Sequence, residues 1–121
     1  DWAPFIKAAI ERNPVSVTMA GSMSLDEVLE WLEQMNDASI YDGSRLAQPD
    51  EVANYRTGDG LEKALVLANI IHQRDPGRDI EIAAEGDLVV LKGPGEFRFA
   101  SAKDLEKTVR IPAAGVEPVA E

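Results

Sequence analysis

Over roughly the first 75 residues, the apolar positions recur at helical spacing. Phe5, Ile6, Ala9 and Ile10 fall on one face, and Asn13-Pro14 closes the segment because proline cannot continue a helix comfortably. From Val15 to Met19 apolar residues alternate with Ser16 and Thr18, the pattern of a strand or an extended connector. Ser24 and Glu27 form a capping box, each able to satisfy a backbone amide of the other. Leu25, Val28, Leu29, Leu32 and Met35 then line one face, predicting a helix over Leu25 to Asn36. Tyr41-Asp42-Gly43-Ser44 reads as a turn. Pro49 suits the first position of a short helix through Val52 and Tyr55, with Asp50 and Glu51 near its positive end.

A different kind of helix follows. Asp59 can cap it with Glu62 at the third position, and Ala64, Leu65, Val66, Leu67, Ala68, Ile70 and Ile71 are apolar nearly all round. A helix without a polar face is buried on several sides, which places this one at the centre of the domain. Asp75-Pro76-Gly77 stops it. Ile80 to Ala84, Leu88 to Leu91, Glu96 to Ala100 and Thr108 to Ile111 then read as four strands, with Gly93-Pro94-Gly95 as a hairpin turn. Helices followed by antiparallel strands predict an α+β domain. The 121 residues suffice for one such domain, with a core near 49–111 and a frayed tail over 112–121, rich in Ala, Pro and Val.

Charge and composition narrow the chemistry. Twelve basic against 22 acidic residues leave a formal charge of −10, which repels phosphate backbones and anionic lipid, so neither nucleic acid nor a membrane is an expected partner. No run approaches the ~20 apolar residues of a membrane span, and the first residues lack a signal-peptide layout. The chain reads as soluble. Because it starts at Asp1, export after removal of a leader stays open. With no cysteine, thiolate nucleophiles, disulfides and thiolate metal sites are excluded, and a lone His72 excludes two-histidine metal motifs. No metal or cofactor is expected.

The segment Tyr55-Arg56-Thr57-Gly58-Asp59-Gly60-Leu61-Glu62-Lys63-Ala64-Leu65 resembles the nucleophile motif of the transglutaminase-like superfamily, which has a papain-like cysteine fold. In that motif, Gly-Asp-Cys is followed by two residues, Lys-Ala and an aliphatic run; here Gly60 stands at the cysteine position. Pro49-Asp50-Glu51-Val52 resembles the helix leading into the motif, and the strands that follow suit the small sheet on which the cysteine helix packs. A cysteine at a helix N-terminus has its thiolate stabilised by the helix dipole. The resemblance implies a histidine position near Asp87 and an aspartate position near Ala100, so that Gly60, Asp87 and Ala100 leave all three triad roles unfilled. It therefore implies a degenerate, noncatalytic member.

Three readings of function follow. In the first, the old cleft between the Gly60 helix and the Asp87 strand persists as a binding site for a protein, peptide or carbohydrate. Tyr55, Asp59, Gly60, Leu61, Asp87 and Ala100 mark it, and free amides at the helix start are available to a small anion. In the second, Asp59, Glu62 or Asp87 activates water in a repurposed hydrolase. In the third, the chain is a structural domain of a larger assembly. Of the remaining residues, His72 reads as a solvent-facing or capping side chain and Asp42-Gly43-Ser44 as a turn rather than a calcium loop. Trp31 falls off the main apolar face of its helix, at the core margin or open to a partner.

Overall fold

The computed structural model describes residues 2–113 and 119–120. It is an α+β fold of five helices followed by an antiparallel hairpin: α1 (Trp2–Glu11), α2 (Pro14–Ala20), α3 (Leu25–Glu33), α4 (Pro49–Tyr55), α5 (Gly60–Arg74), β1 (Ile80–Lys92) and β2 (Glu96–Ile111), with a two-residue third strand, β3 (Val119–Ala120), paired to β2.

Helix α5 is the organising element. Every residue from Gly60 to Ile71 is buried, including Glu62, Lys63 and Asn69. It packs against α1, α2, α3, α4 and both long strands, which is what an apolar surface on all sides requires. Leu61, Leu65, Leu67 and Ile70 are essentially inaccessible. Each such side chain contributes roughly 1.5–3 kcal/mol of burial, so α5 holds the two halves of the fold together.

Four local expectations match the elements observed. The Ser24–Glu27 and Asp59–Glu62 capping boxes are both formed, Pro49 opens α4, and Gly93-Pro94-Gly95 turns the hairpin. Others need correction. The segment from Val15 to Met19 is not extended but lies in α2. The reason is distant in sequence: the Asp50 carboxylate accepts from Val15 N (3.1 Å) and Ser16 N (2.7 Å), capping α2 from the first turn of α4. Helix α3 ends at Glu33, three residues short of Asn36. Beyond it the chain leaves the helix, and Asn36 bridges to Thr57.

The four expected strands are two. β1 and β2 run through 13 and 16 residues, with Ile80 paired to Ile111 at one end and Lys92 to Glu96 at the other. Gly86 pairs with Leu105 and Leu88 with Ala100, so Asp87 alone faces the four residues Ser101 to Asp104. This bulge reverses which side chains of β1 point inward: Ile80, Ile82 and Ala84 are buried before it, Val89 and Leu91 after it. Gly86 and Asp104 both take positive φ there, 64° and 54°. Lys103 reaches out of the bulge to the carbonyls of Tyr41, Gly43 and Arg45, each at 2.8 Å, and fixes the turn between α3 and α4. The expected frayed tail is also partly ordered, since Val119 and Ala120 pair with Arg110 and Val109. Residues 114–118 and 121 of that tail lie outside the described residues.

Candidate functional site

The N-terminus of α5 docks directly onto the bulge of β2. Asp59, 2% exposed, makes the joint: one carboxylate oxygen accepts from Leu61 N (2.9 Å) and Ser101 Oγ (2.6 Å), the other from Ala102 N (2.7 Å). A single side chain thus caps the helix and ties it to a strand 42 residues away. Glu62 does the same on the other side, accepting from Asp59 N (2.8 Å), Ser39 Oγ (2.8 Å) and Ala47 N (2.6 Å). Both carboxylates are surrounded by donors, the condition under which burial of such groups is tolerated.

Between them lies Gly60. A Cβ built there would sit 1.9 Å from the carbonyl oxygen of Ala100, 2.6 Å from its carbonyl carbon and 3.0 Å from Phe99 Cβ. The glycine is required because the strand backbone passes where a side chain would begin. The first of these atoms cannot swing aside as the tip of a flexible side chain could.

Lys63 completes the arrangement. Its aliphatic stem is buried, and its ammonium donates to Asp37 Oδ1 (2.7 Å) and Met35 O (3.2 Å), while Asp37 itself is almost fully exposed. The hydrogen bond and charge of Lys63 hold the Asp37 carboxyl below its ordinary value. The cleft beside the joint has a volume of about 350 Å³, with Glu33, Asp37, Lys63, Arg98 and Phe99 among its walls.

Of the residues expected at the site, Asp59, Gly60 and Ala100 line this cleft together. The other three do not. Tyr55 is 66% exposed at the end of α4, Leu61 points into the core, and Asp87 is exposed on β1 opposite the bulge. The residue against Gly60 is therefore Ala100, not Asp87. The expectation of free amides at the start of α5 is corrected too: Leu61 N is held by the Asp59 side chain, whose carboxylate lies where an added anion would bind. Asp59 and Glu62 have structural partners on both oxygens, unlike a general base waiting for water.

Several contributors escape sequence reasoning. Ser101, Ala102, Ser39, Ala47 and Asp37 are brought to α5 by loops and the bulge, and no local pattern announces them. Lys63 carries a signal, a cation next to the long aliphatic run of α5. His72 is half-buried rather than solvent-facing, and its Nδ1 has no partner. Asp42-Gly43-Ser44 belongs to a turn, with Gly43 at φ 61°. Trp31 packs at the margin of the core. Among the described residues no cluster of His, Cys, Asp and Glu could hold a metal ion, and no helix is long and apolar enough to cross a membrane.

Comparison with known proteins adds nothing to this geometry: no family model, curated protein or solved structure matches the chain.

Proposed function

We propose that this chain is a noncatalytic, transglutaminase-like binding module that engages a protein, peptide or carbohydrate partner through the cleft at the start of α5. One observation carries the proposal. The position corresponding to the family's cysteine is in contact with the backbone of Ala100, so closely that even a methyl group cannot be placed there. A helix tip suited to activating a thiolate is used as a packing joint, while a cleft of about 350 Å³ remains open beside it. The buried α5 and the antiparallel hairpin against it support the same reading.

Partner recognition would rest on the cleft walls. Glu33, Asp37 and Arg98 bring charges of both signs, Arg98 already bonded to Glu96 at 3.0 Å, while Phe99 is almost wholly buried in the core. Such a mixture suits a polar chain with backbone or hydroxyl groups to pair.

The test is a binding screen of peptides and oligosaccharides read by amide shifts at residues 98–102. Ala102→Trp serves as the blocking variant, because the Ala102 side chain is exposed in the cleft and only its backbone amide holds Asp59. A ligand whose affinity survives Ala102→Trp binds elsewhere and removes the support. Turnover of an amide, peptide or glycoside that Asp87→Asn abolishes would instead establish the carboxylate-dependent hydrolase.

A further inference from the structure

The cleft beside α5 is bounded on one side by the backbone of β2. Five consecutive residues of that strand, Arg98 to Ala102, line it. Side chains of a strand alternate between two faces, so a lining without alternation means that the edge of the strand, not one face, looks into the cleft. The hairpin decides which backbone groups that edge presents. Gly93 N donates to Gly95 O (2.9 Å), and the alternation of an antiparallel ladder from that point makes Leu91–Phe97 and Val89–Phe99 its hydrogen-bonded pairs. Arg98 and Ala100 therefore direct their N–H and C=O groups away from β1.

Two contacts agree with this phase. The Ala100 carbonyl oxygen meets Gly60, and Ala102 N, the next outward donor, is taken by Asp59 Oδ1 at 2.7 Å. The Asp59 carboxylate thus does at Ala102 what the carbonyl of an added strand does. Short of that point the edge is open. Among the described residues β2 pairs on this side only through Val109 and Arg110, and Arg98 N, Arg98 O and Ala100 N have no partner. A strand edge of this kind accepts an extended chain as a further strand.

The other walls set the charge of that chain. Glu33 closes α3, whose last turn holds no basic residue, so its carboxylate adds to the negative end of the helix dipole. The Asp37 side chain is 94% exposed although Lys63 holds one of its oxygens. Of the cations lining the cleft, Lys63 is committed to Asp37 and Met35 O, and Arg98 to Glu96. The complement of these walls is a cation carried by the ligand. A neutral oligosaccharide brings neither that cation nor a row of alternating amides.

We infer that the cleft takes an extended basic peptide segment as an added strand on β2, its backbone pairing with Arg98 and Ala100 and its Lys or Arg side chains facing Glu33 and Asp37. The inference rests on the binding-module reading and narrows its ligand.

The experiment is an NMR titration of the labelled protein with N-acetyl-Lys-Val-Lys-Val-Lys-amide and with the same peptide carrying Glu for Lys. Two N-methylated forms of the Lys peptide accompany them, one methylated at the Lys positions and one at the Val positions. Only alternate N–H groups of an added strand face its neighbour, so one methylated form loses those bonds and the other keeps them. The expected result is a saturable shift at the amides of residues 98–100 with the Lys peptide, and binding weaker by about tenfold or more for the Glu peptide and for one methylated form alone. Arg98→Pro removes the outward N–H without breaking the ladder to β1, and is expected to bind the Lys peptide about tenfold more weakly than Arg98→Ala, which lacks the same guanidinium but keeps the N–H. If Arg98→Pro does not fold, the methylated pair decides alone. No saturable shift with the Lys peptide, equal affinity of the Lys and Glu peptides, equal affinity of the two methylated forms, or equal affinity of folded Arg98→Pro and Arg98→Ala would each overturn the inference. Shifts at residues 98–102 with an oligosaccharide and none with the peptide overturn it while leaving the binding module standing; silence from both removes the module as well.

Discussion

Replacing Gly60 with alanine sets two effects of opposite sign against each other. Alanine is the better helix former by up to about 1 kcal/mol, and α5 would gain that. Against it stands the Ala100 carbonyl oxygen, 1.9 Å from the new Cβ, whereas real Cβ contacts essentially never fall below 3.0 Å. Restoring that distance means moving the α5 tip off β2 by about an ångström. A movement of that size stretches the Asp59 bonds to Ser101 and Ala102, now 2.6 and 2.7 Å, to or beyond the limit of a hydrogen bond. Overpacking costs about 1–3 kcal/mol, and bonds to a charged acceptor are worth about 1.5–3 kcal/mol each. The clash wins: Gly60→Ala is expected to lose at least about 3 kcal/mol, or roughly ten degrees of melting temperature for a chain of this size. Urea unfolding followed by far-ultraviolet circular dichroism measures it, with an unchanged slope showing that the midpoint reports stability. A variant as stable as the parent would refute the reasoning. The joint would then be loose enough to accept a side chain, and Gly60→Cys would present a thiol open to a disulfide reagent.

The same joint predicts that Asp59→Ala costs about 3 kcal/mol or more, from loss of the α5 cap together with both ties to the bulge; a loss below about 1 kcal/mol in urea would show the ties to be idle. Asp50→Ala should release the Val15 and Ser16 amides at a cost of about 1–2 kcal/mol, with faster hydrogen exchange confined to the start of α2 as its signature. Asp37 governs part of the acid response. Its folded pKa is depressed chiefly by the hydrogen bond from Lys63, so the unfolded chain binds the proton more readily. The stability it contributes is therefore fully present above the ordinary aspartate value near 4 and is lost as pH falls through the lower folded value. Asp37→Asn should flatten the stability profile below about pH 4, and a profile parallel to the parent's would contradict the assignment.

What could be read from the chain alone was whatever lies within one turn of itself. The Ser24–Glu27 and Asp59–Glu62 boxes join residues three apart, Pro49 needs no partner to start α4, and the apolar residues spread nearly all round α5 dictate its central position. What could not be read depends on residues far apart. Helix α2 resembles a strand because the carboxylate that caps it belongs to Asp50, and the hairpin looks like four strands because the bulge at Ser101 to Asp104 interrupts the alternation without ending the pairing. The placement of Asp87 at the site fails for the same reason. The bulge adds residues to β2 and brings Ala100 to the tip of α5, leaving Asp87 outside on the neighbouring strand.

Gly60 shows how far a sequence reading and a structural one can agree while differing in cause. In the resemblance to the transglutaminase-like motif, it stands where a cysteine is expected. In the fold it has a positive role, because only hydrogen leaves room for the Ala100 carbonyl, and that contact in turn positions Ser101 and Ala102 to hold the Asp59 carboxylate. The two accounts make different demands on the chain. A merely missing nucleophile would tolerate alanine or serine at position 60, because nothing would depend on the space. A packing joint tolerates neither. The denaturation midpoint of Gly60→Ser therefore separates them: a value near that of the parent shows that the fold does not depend on the space at position 60, and a fall comparable to that of Gly60→Ala shows that the Ala100 carbonyl requires the glycine.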